Sequence, residues 1–270
     1  MALTRRRRQR LVRLAVYVST IAFVAIIGSV ADWRRIQRVV FDVDIAKSMW
    51  PDVIMVAAKN TVILTTFGFI GGLTLGLLLA LMRLSTFRMY RWMAGVYIDV
   101  FRSVPAIIAL LAIGQGLPIA KLVKWPKDLP LVGDNIGGVV ALSIVAGAYI
   151  AETIRAGIQA VPSGQVEAAR SLGMSPWQTN RLIVLPQAFR IMIPPLTNEL
   201  VLLIKDTSLV AIALGSTQDS QDLAKFARDV ASDTFNLTPY TVAAVAYIAL
   251  TIPLIRLTGL LERRASGARR

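Results

Sequence analysis

Residues 166–186 read VEAARSLGMSPWQTNRLIVLP, a polar run between two strongly apolar stretches. Glu167, Arg170, Gln178, Asn180 and Arg181 fall within it and cannot rest in lipid, where their polar groups would lose hydration without replacement. The flanking stretches are long enough to cross a bilayer as helices. A chain written this way folds around its membrane spans and holds the polar run outside the hydrocarbon. Composition agrees. With 55% hydrophobic and 17% charged residues and a mean hydropathy of +0.61, the chain belongs with integral membrane proteins.

What is absent narrows the chemistry. There is no Cys and no His, which removes disulfides, thiolate or imidazole metal sites, Cys–His nucleophile pairs and a histidine pH switch. No Gly-Lys dipeptide occurs, so no loop of the G-x4-GK[ST] kind can cradle a nucleotide phosphate. The chain is therefore expected not to hydrolyse nucleotide, to be no enzyme, and to carry no cofactor or metal. The net charge of +14 sits in short clusters between apolar runs rather than in one patch interleaved with aromatics. That arrangement speaks for membrane topology and against nucleic acid.

The pattern predicts an all-α polytopic membrane protein of about six spans. They cover residues 14–31, 53–82, 92–119, 136–151, 191–214 and 239–260. The first follows a basic arm, and its apolar run exceeds the ~7–15 residues of a signal-peptide core, so we read it as a retained span. Residues 32–52 form an exposed, partly amphipathic connection. Gly68, Gly72 and Gly76 recur along one face of the second span, a spacing that lets two membrane helices approach closely. Trp33, Trp50, Trp92 and Trp125 fall near span ends, where indole prefers the headgroup zone. Alternate inter-span segments, including the polar run and both ends, hold 18 of the 30 Arg and Lys against nine on the other side. The positive-inside bias places both termini and the polar run in the cytoplasm. Removal of the first span would leave the polar run there too.

Within that run, Pro162 and Gly164 close the fourth span, and residues 167–172 suit a short helix led in by Ser163-Gly164-Gln165 and broken by Gly173. Ala168 and Ala169 keep one face of it slim. Such a helix can enter a groove on another protein.

The Glu167-Ala168-Ala169 triplet, Gly173 and Ile183-x-Leu185-Pro186, at this spacing, resemble the EAA signature of the membrane subunits of bacterial ATP-binding cassette (ABC) importers. Further stretches resemble the polar amino-acid permeases of the type I importers, often called the histidine/glutamine permease family. They include Phe101-Arg102-Ser103-Val104-Pro105, Gly147-Ala148-Tyr149-Ile150-Ala151-Glu152, Leu185-Pro186-Gln187-Ala188-Phe189-Arg190 and Lys205-Asp206-Thr207-Ser208-Leu209. Two departures stand out. Family members usually carry Gly-Thr-Pro-Leu where this chain has Ser103-Val104-Pro105-Ala106, and residues 107–113 are wholly apolar where a Gln is usual.

The resemblance implies a type I importer transmembrane fold over residues 61–264, with a coupling loop at 161–186. Residues 1–60 would be a basic arm, first span and external connection, and 265–270 a basic tail. It implies a translocation subunit of the bacterial cytoplasmic membrane for a polar amino acid such as glutamate, glutamine, arginine or histidine. An opine, a sulfur compound or an organic ion is the alternative cargo, and a stand-alone channel the alternative class. Its partners would be ABC ATPase subunits that bind ATP and Mg, a second permease copy or paralogue, an extracytoplasmic substrate-binding protein, and membrane lipids. Glu167, Ala168, Ala169, Arg170, Gly173 and Met174 would dock on the ATPase. A charge at the centre of a span costs about 2.5–3.5 kcal/mol on insertion scales, so each needs a reason. Asp99, Arg102, Glu152, Glu199, Lys205 and Asp206 are the candidates for a substrate pathway or for structural pairs.

Overall fold

In the computed structural model, residues 5–126, 129–214 and 217–267 are described. The first residues of the basic arm and the last of the basic tail lie outside them. Thirteen helices follow one another: α1 (Arg5–Val30), α2 (Trp33–Val40), α3 (Val43–Ser48), α4 (Lys59–Leu84), α5 (Arg88–Ser103), α6 (Ala106–Leu111), α7 (Leu117–Ile119), α8 (Ile136–Gln159), α9 (Ser163–Ser171), α10 (Pro176–Thr179), α11 (Leu185–Leu214), α12 (Leu223–Thr234) and α13 (Thr238–Gly267). Wider π-helical turns lead into α4, join α6 to α7 and join α10 to α11. No strand forms among the described residues; one isolated bridge pairs Leu129 with Gly133.

The bundle is assembled around α8, whose apolar window is 61% buried, with α4 along it and α11 across both. Alanine and glycine make this possible. Gly72 and Gly76 of α4 face Ala146 and Ile150 of α8 so closely that a Cβ on Gly76 would stand 2.7 Å from Ile150 Cγ2. Leu79, Ala80, Leu142, Ala146, Ile150, Ala188, Met192 and Leu203 belong to the main buried cluster that results. Close backbone approach maximises van der Waals contact, which matters most where lipid offers no hydrophobic driving force. The packing face expected from Gly68, Gly72 and Gly76 is thus present.

Among the described residues, four helices are long and apolar enough to cross a membrane, and the bent pair α5 with α6–α7 makes five. The expected fifth span, within α11, is long enough but carries Glu199, Lys205 and Asp206 along its length and Pro194 and Pro195 inside it. The expected third span, residues 92–119, is not one straight helix. Its halves, Arg88–Ser103 and Ala106–Ile119, meet at 111°. Pro105 supplies no amide hydrogen and bars Val104 from the helical region, so Val104 is extended (φ −89°, ψ 134°).

The connection at residues 32–52 folds into α2 and α3, each capped by an aspartate: Asp32 accepts from the Arg35 amide, and Asp42 from those of Asp44 and Ile45. Past α11, the segment leading into α12 is tied to the bundle. Asn60 Nδ2 donates to the carbonyls of Asp219 and Gln221, Asn135 Nδ2 to that of Ser220, and Thr61 Oγ1 accepts the Leu223 amide. Asp222, only 2% exposed, caps α12 and receives the Tyr247 hydroxyl at 3.4 Å.

Candidate functional site

The polar run forms a short helix, a sharp turn and a re-entry into the bundle. α8 continues to Gln159, further than its apolar run, and α9 starts at Ser163, directly after Pro162. At its far end Gly173 turns the chain at φ +84°, a left-handed conformation that costs a side-chain-bearing residue roughly 1–2 kcal/mol. The Met174 amide reaches back to the Ala169 carbonyl at 3.2 Å and the Gly173 amide to that of Arg170 at 3.0 Å, closing a Schellman cap. Arg170 Nη1 donates to the Met174 carbonyl, holding the same turn. Ser175 and Gln178 then form a reciprocal capping box that starts α10.

Of the predicted docking residues, Glu167, Ala168 and Arg170 are exposed, whereas Ala169 is 5% exposed and turned into the protein. Only one of the two alanines therefore slims the outer face; the other roots the helix. Val161, Val166 and Val184 anchor the loop in the main apolar cluster. The structure adds residues that pattern reading passed over. Leu172 is 84% exposed and Trp177 64%, with the Arg181 guanidinium 4.9 Å above the indole and Leu182 also outward. Apolar side chains inside a polar loop were the available signal. Solvent-facing Leu and Trp beside charges make an amphipathic surface suited to a protein partner.

The charges expected within the spans divide. Arg102, at the end of α5, lies 5.7 Å from the ring centre of Tyr149 on α8. Glu152, one turn past Tyr149, pairs with Arg155 through a 2.9 Å Nε–Oε2 bond and lies within electrostatic reach of Arg102 and Arg83. Glu199 and Asp206 sit seven apart on one face of α11, close enough to feel each other, and Glu199 also feels Arg102. Four predicted residues, Arg102, Glu152, Glu199 and Asp206, thus share one region between α5, α8 and α11. Two stand apart. Asp99 is exposed and forms no ion pair with Arg102 among the described residues, and Lys205 is exposed while its neighbour Asp206 is half-buried. Tyr149 and Arg83 join the region unforeseen; neither side chain is unusual in sequence, and only the crossing of helices brings them in. Among the described residues no cluster of three or more Asp, Glu, His or Cys could hold a metal.

Residues 72–267 match the family described as the binding-protein-dependent transport system inner membrane component. The chain belongs to this family. Among proteins similar to this transport component, the L-cystine transport system permease protein of Bacillus subtilis is 33% identical over 240 residues, covering 88% of this chain and 93% of the relative. The glutamate/aspartate import permease protein of Escherichia coli O157:H7 is 36% identical over 214 residues, 76% of this chain and 90% of its own. A crystal structure of an amino acid ABC transporter with histidines contains a chain that superposes with a TM-score of 0.69 at 35% identity, over 79% of this chain and 94% of that one. The transport component accordingly has the type I importer permease fold and is a membrane transport subunit.

Proposed function

We propose that the chain is the translocation subunit of an ATP-driven importer for a polar amino acid, working with separate ATPase subunits, a second permease chain and an extracytoplasmic substrate-binding protein. The observation that carries this reading is the superposition on a chain of an amino acid ABC transporter at 35% identity, together with a rooted, outward-facing α9. Both termini and the α9 loop are cytoplasmic in this reading, as the Arg and Lys bias supports.

In that arrangement Glu167, Ala168, Arg170, Gly173 and Met174, with Leu172 and Trp177, meet the ATPase, which holds ATP and Mg. Movement of α9 passes through Ala169, Val161 and Val184 into α8 and α11, and tilts helices between inward- and outward-open states. Arg102, Glu199 and Asp206 line the path. A guanidinium within reach of one carboxylate, with a second carboxylate along the same helix face, suits a solute that carries a carboxylate and an ammonium at once. Glu152 is held by Arg155 and serves the inner end of the path. Asp99 and Lys205, exposed in the single chain, face the second permease or lipid.

Co-purification with the ATPase tests the docking half. Wild type should retain the ATPase through detergent extraction, and Glu167→Lys should lose it. Unchanged association would remove α9 from the interface.

A further inference from the structure

The corner between α2 and α3 is fastened to the start of α13. The Leu237 amide donates to the Val39 carbonyl at 2.8 Å, Asn236 Nδ2 to that of Arg38 at 2.9 Å, and Thr241 Oγ1 to that of Val40 at 2.9 Å. The Asp42 amide donates in turn to Thr238 Oγ1 at 2.9 Å. These bonds tie chain segments about 200 residues apart and satisfy backbone groups that would otherwise be open, so the corner is a fixed shelf. Between shelf and helix runs an open groove of about 570 Å³. Its walls are Val43, Ala46, Trp50, Val242 and Val245, with Asp42 and Lys47 as its charged members.

Three observations say what fills it. First, α13 is long and apolar enough to cross a membrane and its apolar window is only 6% buried, so the groove opens sideways from a membrane-length helix that the rest of the chain leaves uncovered. Second, the groove lies at the end of that helix, where the apolar core gives way to headgroups, and Trp50 is exposed beside it as indoles at that depth are. Third, the two charges are not equivalent. Asp42 is held by its Oδ1, which accepts the Asp44 and Ile45 amides at the start of α3, whereas Lys47 is exposed and has no carboxylate partner among the described residues. An apolar slot ending at an unpaired ammonium is complementary to a hydrocarbon tail ending at an anion.

We propose that this groove binds an anionic phospholipid, one acyl chain lying along Val242 and Val245 and the phosphate meeting Lys47 Nζ. The site holds the shelf, and through it α2, against the membrane surface. It is separate from the region between α5, α8 and α11 and from α9.

The experiment uses the assembled transporter in nanodiscs containing a trace of phosphatidylglycerol or phosphatidylcholine with a photoactivatable acyl chain. Adducts are mapped to peptides. Labelling of residues 43–50 and 238–245 by the phosphatidylglycerol probe should exceed that by the phosphatidylcholine probe about fivefold, the preference that one direct pairing of opposite charges at about 4 Å in water confers. Lys47→Gln should erase the difference, and Val242→Trp should lower labelling of the groove by both probes. Equal labelling by the two probes would overturn the proposal. So would labelling no higher than on the exposed face of α4, or a groove unlabelled because α1 or a second protein chain covers it, as an oxidant-driven disulfide between Trp50→Cys and a second cysteine introduced into that segment would reveal, the chain having no cysteine of its own.

Discussion

Gln187, in the first turn of α11, donates from Nε2 to Gln165 Oε1 in the first turn of α9, and also to the Ile183 carbonyl at 2.9 Å. The two amides join the outward-facing short helix to the long helix that carries Glu199 and Asp206. In the coupling proposed above, a push on α9 would reach α11 through this bond as well as through the buried Val184.

Replacing Gln187 with Leu removes the link but no apolar contact. Assembly with the ATPase should be unchanged, while solute transported per ATP falls roughly two- to tenfold, the range a single hydrogen bond of 0.5–1.5 kcal/mol allows. Parallel assays of uptake and ATPase activity in proteoliposomes decide it. A coupling ratio equal to wild type would mean the force travels through the apolar root alone.

For the path, Asp206→Asn and Glu199→Gln should each lower substrate-stimulated ATPase activity by roughly tenfold, as loss of a charged hydrogen-bond partner implies. Complex formation should persist in both. Undiminished transport would leave these carboxylates a purely structural role.

The approach of α4 to α8 predicts strong asymmetry among glycines. A Cβ at Gly76 would lie 2.7 Å from Ile150 Cγ2 and 3.0 Å from the Ala151 amide, so Gly76→Leu should destabilise by about 1–3 kcal/mol through overpacking. Gly259 has nothing within 4 Å, and Gly259→Ala should be neutral or slightly stabilising. Unfolding midpoints in detergent compare them; similar behaviour of the two variants would contradict the packing described.

Asp222 yields a pH dependence. Burial raises its carboxyl above the ordinary value, against the lowering effect of the amide bonds from Lys225 and Ala224 and of the Tyr247 hydroxyl. The folded chain therefore holds this proton at higher pH than the unfolded chain, and stability falls as pH rises from the ordinary carboxyl range, near about 4, through the raised value. Asp222→Asn keeps an N-cap and should flatten that slope, whereas Asp222→Ala loses the cap and about 1 kcal/mol. Thermal unfolding of the three proteins between about pH 4 and pH 8 gives the answer. An unchanged slope in the Asn variant would move the effect to another group.

Much of the architecture was legible in the residues because lipid enforces it. An apolar run must be helical to satisfy its own backbone, a polar run must leave the hydrocarbon, and the spacing of Gly68, Gly72 and Gly76 supports a close packing face. The α9 helix could be read from Pro162, the Glu-Ala-Ala triplet and Gly173 for a similar reason: each of its ends is written in local backbone chemistry. The bend at Pro105 was also present in the letters, yet a wholly apolar stretch on its far side hid it within one expected span.

What the sequence determined by itself was therefore the class, the alternation of spans and loops, and the identity of the segment held outside the membrane. Only the tertiary structure decided which charges meet. Arg102, Glu152, Glu199 and Asp206 come from three helices, and their grouping depends on how α5, α8 and α11 cross. It equally decided that Ala169 faces inward while Ala168 faces outward, and that Lys205 is exposed where Asp206 is half-buried. Periodicity tells which residues share a face of one helix; what that face touches is set by long-range packing, which no local pattern records.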